Sequence, residues 1–207
     1  MISKIVFFGD SITAANRNEQ NLMGDGYVSI LRDKFFSHSH MKHIQFVNSG
    51  VNGHMVGDLL DRYKVDVIPH QPDAVVINIG INDAYNDYSS GLESKTVHKY
   101  ASGLKQLILN LRSDLPMARL FLFTPYLISD SRIDSFYLRM IEYCDAVKSA
   151  GSLHDIPVLD VQSVFDIAVE TKPAVEWAHD QIHPHYEGHA LIARAAFSFL
   201  SEHIVKT

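Results

Sequence analysis

A chain of 207 residues with 46% hydrophobic and 20% charged residues has the balance of a folded protein. That excludes an intrinsically disordered chain and suits a single domain over residues 1–207. Lys and Arg number 18 against 24 Asp and Glu, a net charge of −6 with no local basic cluster, which excludes a nucleic-acid partner. The one cysteine, Cys144, falls in a helical pattern and is expected as a small buried hydrophobe, consistent with a reducing compartment. The apolar run from Ile5 to Phe8 is too short for a signal-peptide core, and no stretch is long enough to span a bilayer. The expected location is cytoplasmic, with no membrane partner.

In chain order, the first element is a buried strand, Lys4–Gly9 (KIVFFG). A helix follows over residues 27–36, with Val28, Leu31 and Phe35 on one face. A short strand at 45–48 (QFVN) precedes a helix at 56–68 carrying Leu59, Leu60 and Tyr63. The run at 73–80 (DAVVINIG) reads as a third strand. Residues 84–94 (AYNDYSSGLES) form a polar connection to a helix at 97–111. A fourth strand at 119–124, a helix at 133–150 and a fifth strand at 156–161 come next. A short amphipathic stretch, 161–179, leads to a last helix at 189–204. Most of the strands are nearly continuous apolar runs, as in a parallel sheet covered on both faces. Alternation with helices predicts an α/β three-layer sandwich with right-handed crossovers. In such sheets the site lies beyond the carboxyl ends of the strands, so the polar residues there are the candidates.

Ser11, in GDSIT (residues 9–13), leaves the first strand. Taken alone it reads as a helix cap. It reads as a nucleophile only if a base is supplied. His183 in DQIHP (residues 180–184) is that candidate base, and Asp180, three positions earlier, can hold its ring. Alternatively, Asp180 and His183 decorate the approach to the last helix. Gly53 offers a backbone N–H after the second strand, and Asn82 in GIND (residues 80–83) offers a side-chain amide after the third. Each alone reads as a turn residue. Together, following different strands of one sheet, they supply the nucleophile, base, orienter and oxyanion donors of an acyl-transfer site.

Two other classes compete. His179, His183, His185 and His189 fall with Asp180 in one short stretch, a pattern that can bind Zn²⁺ in a metal-dependent hydrolase, although no H-E-x-x-H or Cys partner accompanies it. A flavodoxin-like binding module could use the turn after the first strand as a phosphate cradle. GDGYVS (residues 24–29) fails the glycine fingerprint such a module needs. The elbow G-x-S-x-G of the α/β-hydrolases is absent.

The four blocks GDSIT, NSGVNG (residues 48–53), GIND and DQIHP, in that order, resemble those of the SGNH hydrolases, the GDSL esterase superfamily. The resemblance implies a flavodoxin-like sheet of strand order 2-1-3-4-5. It also implies a Ser11–His183–Asp180 triad, an oxyanion hole of Ser11, Gly53 and Asn82, and no cofactor or metal. PDAVVINIGIND, TPY (residues 124–126) and HPHYEGHALIARA make the chain most similar to intracellular carbohydrate esterases of the acetylxylan esterase type. That implies a short acyl group, acetyl, on a sugar, and is compatible with a homo-oligomer. General short-chain carboxylesterase, lysophospholipase and thioesterase activities of the same superfamily stay open. Two features depart from the pattern: Ala14 stands where many such relatives carry an acid, and Trp177 lies three residues before Asp180 rather than beside it. Tyr85, Tyr88, Tyr126 and Trp177 are candidate sugar-stacking rings; the bland reading is that they pack the loops or a subunit interface.

Overall fold

Fully buried strands are what runs such as IVFF and AVVI require, and the computed structural model, which describes residues 2–91 and 95–205, pairs them in one sheet. Its strands are β1 (Lys4–Gly9), β2 (Gln45–Gly50), β3 (Ala74–Asn78), β4 (Arg119–Phe123) and β5 (Val158–Leu159). All neighbours are parallel, in the order β2-β1-β3-β4-β5 expected from the resemblance. The chain runs from β1 to one side and then returns to β3 on the other. The switch point therefore lies at the ends of β1 and β3, where the crossovers diverge and leave a crevice.

The helices are α1 (Ser11–Ala14), α2 (Tyr27–Ser37), α3 (Val56–Asp66), α4 (Ile81–Ser90), α5 (Lys95–Asp114), α6 (Ser135–Leu153), α7 (Val161–Ala168) and α8 (Tyr186–Val205). One group packs α2 on α8 and α8 on α7; the other packs α3 on α5 and α5 on α6. The two groups flank the sheet, giving the α/β/α layering. The core is aromatic-rich: Phe7, Phe8, Phe121, Phe123 and Phe165 are all at most 1% exposed. Burying each such ring contributes roughly 1.5–3 kcal/mol.

Several boundaries differ from the sequence reading. β2 extends to Gly50 because Ser49 and Gly50 pair with Phe8 and Gly9, although neither favours a strand intrinsically. β3 starts after Asp73, whose carboxylate is turned to the N–H groups of Ser3 and Lys4. It stops at Asn78, because Gly80, at φ 130°, begins α4. β5 shrinks to two residues: Pro157 has no N–H to give, and Asp160 is spent capping α7.

The largest correction is α4, which occupies most of the expected polar connection; residues 92–94 of that segment lie outside the described residues. Its inward face is Ile81, Ala84 and Asp87. A buried acid in an apolar slot hides the helical period. Asp87 is held there by the Tyr143 hydroxyl at 3.3 Å and the Arg139 guanidinium at 3.6 Å. Cys144 is buried as expected; its S–H donates to the Pro125 carbonyl at 3.1 Å, and burial pushes the thiol far above its ordinary range. Among the described residues, no helix is long and apolar enough to cross a membrane.

Candidate active site

Gly9 ends β1 where a side chain has no room: a Cβ there would lie 2.3 Å from the Asn78 carbonyl oxygen and 2.5 Å from Thr13 Oγ1. The chain can then turn directly into α1. Asp10, not Ser11, is the cap, accepting from the Ile12 N–H at 3.0 Å. Ser11 is the first helical residue, so its own N–H is one of the donors a helix start leaves unpaired.

The Ser11 hydroxyl lies 2.9 Å from His183 Nε2. On the other side of the ring, Nδ1 lies 2.6 Å from Asp180 Oδ2. A carboxylate accepts, so Nδ1 carries the proton and Nε2 is left to accept from Ser11. The other Asp180 oxygen accepts from the backbone N–H groups of Ile182 and His183, at 3.0 and 2.7 Å. Asp180 therefore caps its own tight turn, through Gln181 at φ 65°, rather than α8, which starts at Tyr186. Partial burial raises the Asp180 pKa, but the His183 ring and the two N–H donors outweigh it and leave the carboxyl below its ordinary range.

Gly53 sits at φ 77°, a left-handed conformation that favours glycine, and among the described residues its N–H has no partner. Asn82, in the first turn of α4, donates one amide hydrogen to the His54 carbonyl at 2.9 Å. That bond fixes the amide plane and leaves the second N–H available. Ser11, Gly53, Asn82 and His183 all line one cleft of about 580 Å³. Asp180 stands behind the His183 ring, so all five candidates meet at one place.

Sequence reasoning missed the residue that braces them. Arg62 of α3 donates to the Gly9 carbonyl at 2.8 Å, the Ser49 carbonyl at 3.0 Å, His54 Nδ1 at 2.9 Å and Asp66 at 2.7 Å. Its guanidinium also lies over the Phe8 ring. One side chain thus ties the ends of β1 and β2 to the residue that orients Asn82. The available signal was its place on the inward stripe, three after the buried Leu59.

Two carboxyls lie beneath the site. Burial raises Asp10 to about 7, despite the Ile12 N–H, with Asp83 adding repulsion and Arg62 a weaker attraction. Burial also raises Asp83 to about 6, against the Val56 N–H it accepts from.

None of the four candidate rings lines the cleft. Tyr85 and Tyr88 project from α4 against Phe136. Tyr126 is buried against Phe165, and Trp177 lies beneath Lys172. The aromatic residue at the cleft is Tyr186, 70% exposed. Ala14 is buried, and the carboxylate that reaches the cleft belongs to Asp25.

The histidine cluster disperses. His183 faces Ser11, His189 accepts the Tyr27 N–H, and His179 and His185 stack edge to face. Among the described residues, no three His, Cys, Asp or Glu are placed to hold a metal ion.

The family model of the GDSL-like lipases and acylhydrolases matches residues 7–191. An acetylxylan esterase of Geobacillus stearothermophilus is 31% identical over 202 residues, covering 93% of this chain and 91% of that protein. Two solved structures are similar over nearly the whole chain. The α/β hydrolase LAE5 from the Lake Arreo metagenome is 32% identical, with a TM-score of 0.87, over 95% of this chain and 94% of that one. The acetylxylan esterase Axe2 of Geobacillus stearothermophilus is 29% identical, with a TM-score of 0.87, over 96% and 94%.

Proposed function

Because the chain belongs to the GDSL-like lipase/acylhydrolase family and is a carboxylic ester hydrolase, we propose that Ser11 is the nucleophile of an esterase that removes acetyl groups from a carbohydrate. The observation that carries the mechanism is the unbroken line from Ser11 Oγ through His183 to Asp180, at 2.9 and 2.6 Å, opening on a cleft shared with Gly53 and Asn82.

In this reading His183 Nε2 takes the hydroxyl proton as Ser11 Oγ bonds to the ester carbonyl carbon. Asp180 stabilises the imidazolium that forms. The carbonyl oxygen becomes an oxyanion, which the N–H groups of Ser11 and Gly53 and the Asn82 amide receive. Collapse breaks the bond to the leaving alcohol, which takes its proton from His183. Water then attacks the acyl-serine, again giving a proton to His183, and the acid leaves as Ser11 recovers its hydrogen. No cofactor enters any step.

Resemblance to the acetylxylan esterases supports acetate as the acyl group and a sugar as the alcohol. Asn16, Asp25, Asn52 and His189 give the cleft polar groups for a sugar, beside the apolar surface of Ile12, Ala15 and Pro184. The test compares kcat/KM over aryl esters from acetyl to long-chain, with acetate release from acetylated xylose and xylan oligomers. Acetyl should be preferred, and acetate should be released from the sugar. Ser11→Ala should lower kcat by on the order of 10⁶. A steep preference for long acyl chains, with no acetate from any sugar, would overturn the substrate. Activity that survives in Ser11→Ala would overturn the nucleophile.

A further inference from the structure

Beyond Ser11 the cleft runs over the end of α1 to Asp25 and up to Tyr186 and His189. We infer that this extension is a hydroxyl-reading subsite, in which the Asp25 carboxylate accepts from, and the His189 Nε2–H donates to, hydroxyls of a neutral polyhydroxylated leaving group. The inference rests on the esterase reading and adds the residues that select its alcohol.

The short motif Gly24-Asp25-Gly26 explains how a carboxylate comes to stand there. A Cβ at Gly24, itself at φ 69°, would lie 2.2 Å from the Ala14 carbonyl oxygen and 2.5 Å from that of Ala15. A Cβ at Gly26 would lie 2.4 Å from Ala15 Cβ and 2.9 Å from the His189 ring. The two glycines let this turn press between α1 and α8, and the Asp25 N–H locks onto the Ala15 carbonyl at 2.7 Å. The carboxylate is held by side-chain amides, from Asn21 at 2.7 Å and Asn16 at 3.4 Å, and, among the described residues, by no cation. Two carboxylate oxygens have about four acceptor sites, so capacity remains for a ligand.

His189 supplies the complementary donor. Its Nδ1 accepts from the Tyr27 N–H at 3.2 Å, which places the ring proton on Nε2. Burial, with a smaller push from His183, lowers its pKa to about 4, so the ring is neutral near pH 7. Among the described residues Nε2 has no protein partner, and it is not a buried orphan. An acceptor and a neutral donor on one wall match a hydroxyl pair, since each hydroxyl both gives and receives. Tyr186 at the rim offers a ring face to the sugar. Among the described residues no Lys or Arg lines the cleft, so a phosphorylated or coenzyme A leaving group would meet Asp25 without a counter-charge.

The experiment measures kcat/KM for a monoacetylated xyloside, which keeps free hydroxyls, and for phenyl acetate, which has none. The readout is their ratio. In Asp25→Ala the ratio should fall about 10- to 100-fold, the range for losing a charged hydrogen-bond partner. Asp25→Asn should lower it less. His189→Gln, which keeps a donor near Nε2, should retain more of the ratio than His189→Leu. Melting curves confirm that each variant is folded. A ratio within twofold of the parent in folded Asp25→Ala and His189→Leu would overturn the subsite. So would a gain in acetyl-coenzyme A hydrolysis over the xyloside in the parent enzyme. Absence of any turnover of phenyl acetate by the parent would instead overturn the esterase reading itself.

Discussion

The ends of β1 and β2 and the turn at residues 180–183 bring the two halves of the site together, and they are built differently. On the first side, Arg62 is only 13% exposed in its side chain and ties Gly9, Ser49 and His54 into one buried brace. On the second, Asp180 and His183 are about half exposed, at 53% and 54%, and are held chiefly by hydrogen bonds within three residues. The proposed oxyanion donors thus take their geometry from tertiary structure, whereas the proposed base takes it from a local turn. Preorganised donors need rigid support, because misplacement by about 1 Å can cost 10²-fold. A base that must move a proton and then return it tolerates a more open setting.

The contrast can be broken by substitution. Asp180→Asn should lower kcat on the order of 10⁴-fold by favouring the wrong His183 tautomer, with the melting temperature nearly unchanged. A large drop in melting temperature would show that the turn is a structural support after all. Asn82→Ala should cost about 10²–10³ in kcat with little change in KM. An intact kcat with only lower thermal stability would make Asn82 a helix-start residue.

Arg62→Ala should act on both quantities, unlike Asp180→Asn. It removes the donor to the Ser49 carbonyl, one of two donors to the Gly9 carbonyl and the partner of Asp66, and should cost about 3 kcal/mol of stability, a drop of roughly 6–12 °C in melting temperature. Its kcat should fall as the oxyanion donors lose register. A variant that melts early but keeps full kcat would separate bracing from catalysis and break the comparison.

The smallest effect concerns pH. Asp10 is raised to about 7 in the fold from an unfolded value near 3.8, so the folded state holds its proton more tightly. The stability this gives is present below about pH 4 and is lost as pH rises through 7. Asp83 adds the same sign, whereas His189, lowered to about 4, adds the opposite sign at acid pH. Comparing Asp10→Asn with the parent cancels both to first order, and Asn still caps α1. The melting temperature of Asp10→Asn minus that of the parent should therefore rise from pH 5 to pH 8. A flat difference would show that Asp10 is ionised in the fold throughout that range.

What was legible in the sequence divides along physical lines. β1, β3 and β4 announced themselves because strands covered on both faces must be continuously apolar. Ser11, Gly53, Asn82, Asp180 and His183 could be named because each sits in a short block at a predicted chain turn. α4 escaped because Asp87 occupies its core-facing side, bonded by Tyr143 and flanked by Arg139 from another helix. Arg62 and Asp25 escaped for a related reason. The Gly9 carbonyl that Arg62 binds is 53 residues away, and Asp25 reaches the cleft only because Gly24 and Gly26 fit between α1 and α8. The four rings were chosen by proximity in sequence to candidate residues; α4 and the core then claimed three of them, and Lys172 covers the fourth.

Trp177 is the chain's one tryptophan, and its place gives the molecule a built-in optical gauge. Its indole N–H donates to the Lys172 carbonyl at 3.2 Å, with the Lys172 ammonium 4.1 Å from the ring centre. The His185 N–H binds the Trp177 carbonyl at 2.7 Å, and Ala178 bridges to Pro184. These contacts pinch together the two stems of the excursion that carries Asp180 and His183. Indole emission, excited beyond the tyrosine absorption band, therefore comes from the neck of that excursion alone. Acrylamide quenching followed alongside turnover would show whether the segment carrying Asp180 and His183 stays closed during catalysis, with no label attached.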